Sequence, residues 1–373
     1  MKKRNTIIRQ KMVFSQLSKS ISFLRIAVVI VVSTVIFVQC DSASTSTEQT
    51  PDYLKISGKT MGTTYSIIYQ DLHQKNYKPQ IDSILVAINQ EVSTYIEDSD
   101  ISLFNKKQDG KYVFKSKEKP HFHANLMASR PIFEKTGGHF DPTVMPLVNY
   151  WGFGYTEKRT INKADEAKID TILKSVGFDN IQVTINNEDV EVLKQNPKTE
   201  LDFSAIAKGY AVDVIGTFLV SNHVEHFFIE IGGETFCKGR SKRGDEWALG
   251  INTPSKDAKL TDIEQIVRLT NKGLATSGNY RNYHQAEDGS IYAHTINPKT
   301  GFPEKSNLLS ATVVAKDCMT ADAFATAFMV MGKDKAIELA RTLPEIDIFL
   351  IYGNEKGEML TYSSEGFLKF IEH

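Results

Sequence analysis

An aspartate and a threonine stand four residues apart in the segment Thr320-Ala-Asp322-Ala-Phe-Ala-Thr326-Ala-Phe-Met-Val-Met-Gly332. At helical spacing they share one face, one turn from each other. The segment is apolar nearly all round, which predicts a buried helix over Ala321–Met331, started by Thr320 and stopped by Gly332. An ionised carboxylate in such a helix is costly unless it is paired or bound to a cation, and carboxylate and hydroxyl oxygens suit a hard ion such as Mg2+. Asp322 fits a second role equally well, as a negative charge inside the first helical turn. The segment by itself divides evenly between the two.

Three further strings carry side chains of chemical interest. In Leu201-Asp202-Phe-Ser-Ala205-Ile-Ala-Lys208-Gly209-Tyr210, an acid, a small residue and a lysine stand where a helix begins. Exposed backbone N–H groups aided by a lysine suit a phosphate oxygen there, although a capping Asp202 and a solvated Lys208 would give the same string. Leu274 to Tyr280, with Thr276, precedes Tyr292-Ala-His294-Thr-Ile296-Asn297-Pro298-Lys-Thr-Gly301, which reads as a strand running into a tight turn. His294 at the strand's end is either a general base or a satisfied structural histidine. Phe140-Asp141-Pro142-Thr-Val144-Met-Pro146-Leu147, followed by Trp151-Gly-Phe153-Gly154, is a stiff loop that suits a planar ligand or simple packing. His121 and His123 are spaced like a metal pair but have no acidic or cysteine neighbours, and they read as surface residues. Cys237 and Cys318 read as buried thiols, since three cysteines in all give no disulfide framework.

Mixed α and β elements must position these groups. Alternation in Tyr65–Tyr69 predicts a strand, apolar spacing over Ile81–Val92 an amphipathic helix, and Ile206–Val220 another helix. Phe227–Ile231, ending in Gly232-Gly233, with Trp247–Ile251 and Leu309–Val314, read as strands. With 41% apolar and 24% charged residues, the 373-residue chain has the composition of a globular protein.

Charge is unevenly spread along the chain. Residues 1–39 hold seven basic and no acidic side chains, so without them the formal charge moves from −1 to −8. Such a chain has no broad basic surface for phosphates, which excludes general nucleic-acid binding. The uncharged run Ile26–Val38 has the length of a signal-peptide core, and Cys40 follows at once. Three regions result: a membrane-targeting signal segment over 1–39, a Ser/Thr-rich tether over 40–52 from a lipidated Cys40, and a folded domain over 53–373. This arrangement places the protein in the cell envelope, on the periplasmic side, anchored as a lipoprotein to the inner membrane or alternatively to the outer one.

The order and spacing of these blocks together resemble the FAD:protein FMN transferases, the ApbE-type flavin transferase lipoproteins. The likeness begins with Gly58-Lys-Thr-Met61-Gly62-Thr-Thr-Tyr, continues through Ser93-Thr-Tyr95 and Asp100-Ile-Ser102-Leu-Phe-Asn105, and ends with the Asp322 and Thr326 block. It implies a mixed α/β fold with the ligand in a central cleft. It implies that Met61, Tyr95, His139, Phe140, Asp141, Asp202, Lys208, Thr276 and Ile296 contact FAD. By the same likeness Ala205, through its carbonyl, Asp322 and Thr326 hold Mg2+, and His294 is catalytic. The implied reaction cleaves FAD and attaches FMN to a Thr or Ser of an acceptor flavoprotein, releasing AMP. Asn297 stands where many relatives have Asp, His139 where a small residue is common, and Phe37-Val38-Gln39 departs from the usual lipobox. The same residues would also serve an FAD pyrophosphatase or a non-catalytic FAD-binding lipoprotein.

Overall fold

Met61 and Gly62 both take left-handed backbone, with φ of 49° and 72°. They reverse the chain between β1 (Tyr53–Thr60) and β2 (Thr63–Gln70), setting Thr60 opposite Thr63. A two-residue turn with both φ values positive matches the twist of the paired strands. β2 buries Tyr65, Ile67 and Tyr69 and turns the residues between them the other way, the period of two read from the sequence.

This is a computed structural model, and it describes residues 52–372 apart from 157–160, 162–163, 256–258, 260, 280–282 and 286–290. The signal segment, Cys40, most of the tether and Tyr280 therefore lie outside the described residues. No helix among the described residues is long and apolar enough to cross a membrane.

After β2 come α1 (Lys78–Val92), α2 (Asp100–Lys106), β3 (Lys111–Lys115), α3 (Pro120–Lys135), α4 (Met145–Tyr150) and α5 (Glu166–Leu173). The chain continues through β4 (Ile181–Asn186), β5 (Asp189–Lys194), α6 (Ala207–Ser221), β6 (His226–Ile231), β7 (Glu234–Lys238), β8 (Trp247–Asn252) and β9 (Ile263–Leu269). It closes with β10 (Lys272–Gly278), β11 (Tyr283–Gln285), β12 (Ile291–Ala293), β13 (Leu308–Ala315), α7 (Cys318–Met331), α8 (Lys333–Ala340), β14 (Asp347–Gly353) and β15 (Met359–Ser363). The mixed α/β class read from the sequence is the class observed.

Eight strands form one sheet in the order β1-β2-β6-β7-β10-β13-β14-β15, with every neighbouring pair antiparallel. One face, with Ile67, Ile229, Ala275, Ala311 and Val313, joins the main core with α6 and α7. The opposite face, with Phe228, Leu274, Val314 and Ile351, packs against the β8–β9 hairpin and Phe367. Burial on both faces explains why β13 does not alternate apolar and charged residues.

Two helices meet at the sheet's inner face and cap each other. The Asp213 carboxylate on α6 accepts the N–H groups of Cys318 (2.9 Å) and Met319 (2.8 Å) at the start of α7. Asp322 Oδ2 on α7 accepts the N–H of Gly209 (3.0 Å) in the first turn of α6. Each thereby satisfies donors that a helix start leaves open. Only glycine permits so close an approach, because a Cβ on Gly209 would lie 2.4 Å from the Cys318 carbonyl oxygen. One expectation is corrected here: α7 begins at Cys318, not after Thr320, because Asp317 accepts the Thr320 N–H (2.8 Å) as its cap. Gly332, with φ 76°, ends the helix as expected.

Candidate active site

The earlier start of α7 removes one of the two roles that the sequence leaves open for Asp322. Asp322 is the fifth residue of α7, so it does not sit in that helix's first turn. It and Thr326 both line a cavity of about 450 Å3, a size common for small-molecule sites. Ala205 and Lys208 reach the same cavity from the loop before α6 and from that helix's first turn. Thr276 and Ser277 line it from β10, and Ser277 Oγ lies 3.2 Å from Thr326 Oγ1. Thr276 Oγ1 is 2.9 Å from Thr312 Oγ1.

His294 follows β12 and leads into the turn that the sequence predicts. Asn297 N–H donates to the Phe302 carbonyl (2.9 Å), and Gly301 N–H donates back to Asn297 O (2.8 Å). Buried Trp151 donates its indole N–H to Gly301 O at 2.8 Å, which ties the turn to α4. Ile296 joins Leu147, Tyr150, Trp151 and Ile169 in an apolar cluster behind the cavity wall. The Phe153 ring stands edge-on to His294, 6.5 Å between centroids. His294, Thr295, Ile296 and Pro298 thus line the cavity on a braced segment.

The stiff loop forms the remaining wall. His139, Phe140 and Asp141 line the cavity, as do Asp202 and Tyr95. Tyr95, 70% exposed, stands at the rim. His139 Nδ1 lies 2.8 Å from the Thr136 carbonyl oxygen, so that nitrogen carries the proton. Burial lowers the pKa of the His139 ring. Asp141 accepts the Thr143 N–H (2.8 Å) and hydroxyl (2.6 Å), and burial pushes its carboxyl up to about 6.

Several expected placements change. Met61 is not among the residues lining the cavity; the β1–β2 turn uses it for its left-handed backbone. Asp202 does not cap α6 but accepts the Ser204 N–H (2.9 Å), while its own N–H donates to Pro142 O (2.7 Å). Of the N–H groups at the start of α6, those of Ile206 and Ala207 go to Phe203 O, and that of Gly209 goes to Asp322. His121 and His123 are half-buried rather than surface residues. His121 Nδ1 lies 2.8 Å from the Tyr210 hydroxyl, and His123 Nε2 is buried.

Lys208 is half-buried beside two carboxylates rather than freely solvated. A quarter of its side chain is exposed, and its ammonium lies 3.7 Å from Asp322 Oδ1 and 3.4 Å from Glu234 Oε1. Glu234, at the start of β7, is the site residue that the sequence reading passes over. Its only local signal is an acid directly after Gly232-Gly233, at the head of the short strand Glu-Thr-Phe-Cys-Lys. It is 4% exposed and lines the cavity, and its Oε2 has no hydrogen-bond partner among the described residues.

Burial raises both carboxyls, Glu234 to about 8 and Asp322 above its ordinary range, while Lys208 pulls each back down. Burial alone would lower the Lys208 ammonium, but Asp322 and Glu234 outweigh it and hold its pKa above the ordinary value. Two acids face one base in a desolvated space. Their carboxyl oxygens, with Thr326 and Ala205 on the same cavity wall, suit a hard divalent cation. No group of three His, Cys, Asp or Glu among the described residues forms a metal cluster. The rest of such a cation's shell would therefore be carbonyl, hydroxyl and ligand oxygens.

Comparison with known proteins gives one consistent result. Residues 61–350 match the model of the ApbE family. The chain is 36% identical to the FAD:protein FMN transferase of Haemophilus influenzae, over 86% of this chain and 92% of that protein. It is 30% identical to the Escherichia coli K12 protein of the same description, over 94% of this chain and 98% of that one. Among solved structures, the flavin transferase ApbE from Vibrio cholerae superposes with a TM-score of 0.75 at 33% identity, covering 86% of this chain and 99% of that one. The apo flavinyl transferase ApbE of Pseudomonas stutzeri gives a TM-score of 0.73 at 29% identity, over 86% and 96%.

Proposed function

This chain belongs to the ApbE family and is an FAD:protein FMN transferase, and we propose that it cleaves the FAD pyrophosphate with Mg2+ and leaves FMN as a phosphoester on a Thr or Ser of an acceptor flavoprotein. The observation that carries this reading is the position of Asp322 and Thr326, one turn apart on buried α7, in one cavity with Lys208 and His294.

Asp322, Thr326 and the Ala205 carbonyl would hold the cation, which when bound screens the two phosphates and offsets charge developing on their oxygens. Lys208 supplies a second positive charge beside them. His294 takes the proton of the acceptor hydroxyl while the hydroxyl oxygen bonds to the FMN phosphorus. The bond from that phosphorus to the bridging oxygen breaks, and AMP leaves with that oxygen and the bonding electron pair. Tyr95, His139, Phe140, Asp141, Asp202, Thr276 and Ile296 form the walls against which FAD would lie.

Incubation with FAD, Mg2+ and an acceptor flavoprotein, followed by mass spectrometry of the acceptor, tests the proposal. The expected result is an FMN-sized addition on the acceptor that chelation with EDTA abolishes. FMN appearing only free in solution would replace transfer by hydrolysis, and intact FAD after prolonged incubation would remove the activity altogether.

Residues 1–39 and Cys40 support a further part of the proposal, a lipoprotein held at the periplasmic side of the inner membrane. Fatty-acid labelling of growing cells is expected to mark the wild-type chain and not the Cys40→Ala variant. Label persisting in the variant would rule out this anchor.

A further inference from the structure

Lys208 is held by three acceptors and closely by none. Its ammonium lies 3.4 Å from Glu234 Oε1, 3.5 Å from the Ser204 carbonyl oxygen and 3.7 Å from Asp322 Oδ1. Charge-assisted N–H···O bonds ordinarily close to about 2.7–2.9 Å. The two carboxylates stand on different elements, Glu234 on β7 and Asp322 on α7. A lysine side chain can therefore shift from one to the other by rotating its flexible stem, with no change in the backbone.

The two carboxylates are not equivalent. Asp322 is committed through Oδ2 to the Gly209 N–H. Glu234 Oε2 has no hydrogen-bond partner among the described residues and borders the cavity. Glu234 therefore has spare capacity for a donor, and Lys208 is the cation nearest to it.

Resting on the reading that a divalent cation binds at Asp322, we infer that Lys208 is the resident counter-ion which that cation displaces, and that Glu234 receives it. In the absence of the cation, the ammonium offsets the buried Asp322 charge. When the cation arrives, two positive charges compete for one carboxylate in a space that water screens poorly. Glu234 resolves the competition by drawing the ammonium away, where it remains at the cavity wall to face the ligand's phosphates. Glu234 is thus a positioning residue: it sets cation affinity through Lys208, without bonding the cation.

Calorimetric titration of Mg2+ into the full chain without FAD separates this role from a direct one. Four proteins are compared: wild type, Glu234→Gln, Lys208→Met and the double variant, each checked for folding by circular dichroism. In the wild-type background, Glu234→Gln is expected to weaken Mg2+ binding about tenfold, within the range seen for coupled neighbouring residues. In the Lys208→Met background, the same substitution should change affinity less than about twofold, because no ammonium remains to be relocated. Equal losses in both backgrounds would overturn the inference, since Glu234 would then act on the cation directly. No loss in either would overturn it as well. If Lys208→Met does not fold, Lys208→Gln provides the second background. Absence of Mg2+ binding by the wild type would instead defeat the cation reading itself, and this inference with it.

Discussion

Asp322→Asn is expected to lower Mg2+-dependent FMN transfer by about 10²–10³-fold or more, the scale of losing one principal charge-stabilising group. The protein should remain folded. An asparagine keeps a side-chain oxygen for the Gly209 N–H that Asp322 Oδ2 now accepts at 3.0 Å. It also leaves Lys208 and Glu234 as a balanced pair where two acids now face one base. Asp322→Ala should lose transfer equally but is a poorer probe, because it orphans the Gly209 N–H at a cost of about 1–3 kcal/mol. Measuring acceptor flavinylation and thermal unfolding on both variants distinguishes the effects. Transfer by Asp322→Asn that persists and still requires Mg2+ would reject Asp322 as a cation ligand.

His294→Ala is expected to bind FAD with nearly unchanged affinity and to lose about 10²–10⁴-fold in kcat, the contribution usual for a positioned general base. The segment that carries it is also braced by contacts that do not involve its ring. Trp151 holds Gly301 O at 2.8 Å, and Asn297 closes the turn through Phe302 and Gly301. Truncating the imidazole therefore removes a proton acceptor without releasing the cavity wall. A fall in kcat with little change in KM is the signature of a group that acts in the transition state. Equilibrium FAD binding and steady-state transfer rates decide the matter, and transfer at the wild-type rate would exclude the assigned role.

The groups legible in the sequence are those whose geometry is local. Four-residue spacing on an apolar helix sets Asp322 and Thr326 on one face whatever surrounds them. The Asn297 to Gly301 turn is written in its own residues, because Asn-Pro and a following Gly favour chain reversal. Strands β2, β6, β8 and β13 appear where apolar and β-branched residues run or alternate. The first residue of α7 was misread by a few positions, because Thr320 and Asp317 are both competent caps and only the backbone decides between them. The resemblance to a flavin transferase family added roles to these residues that spacing alone left undecided.

The tertiary structure decided whatever depends on two distant segments meeting. Nothing near Asp322 in the chain indicates that it caps α6, nor does Asp213 indicate that it caps α7; both follow from the close helix approach that Gly209 permits. Glu234 is unremarkable in the sequence as the first residue of a short strand; the packing of α6 against β7 brings its carboxylate to Lys208. Met61 takes left-handed backbone in the β1–β2 hairpin turn, which its residue type does not announce because methionine rarely adopts that conformation. By itself the sequence determined which side chains share a face and where the chain turns, because bonded geometry repeats over a few residues. Which charges share a cavity, and which donors are already taken, was fixed only by packing, because those energies arise between atoms far apart along the chain and close in space.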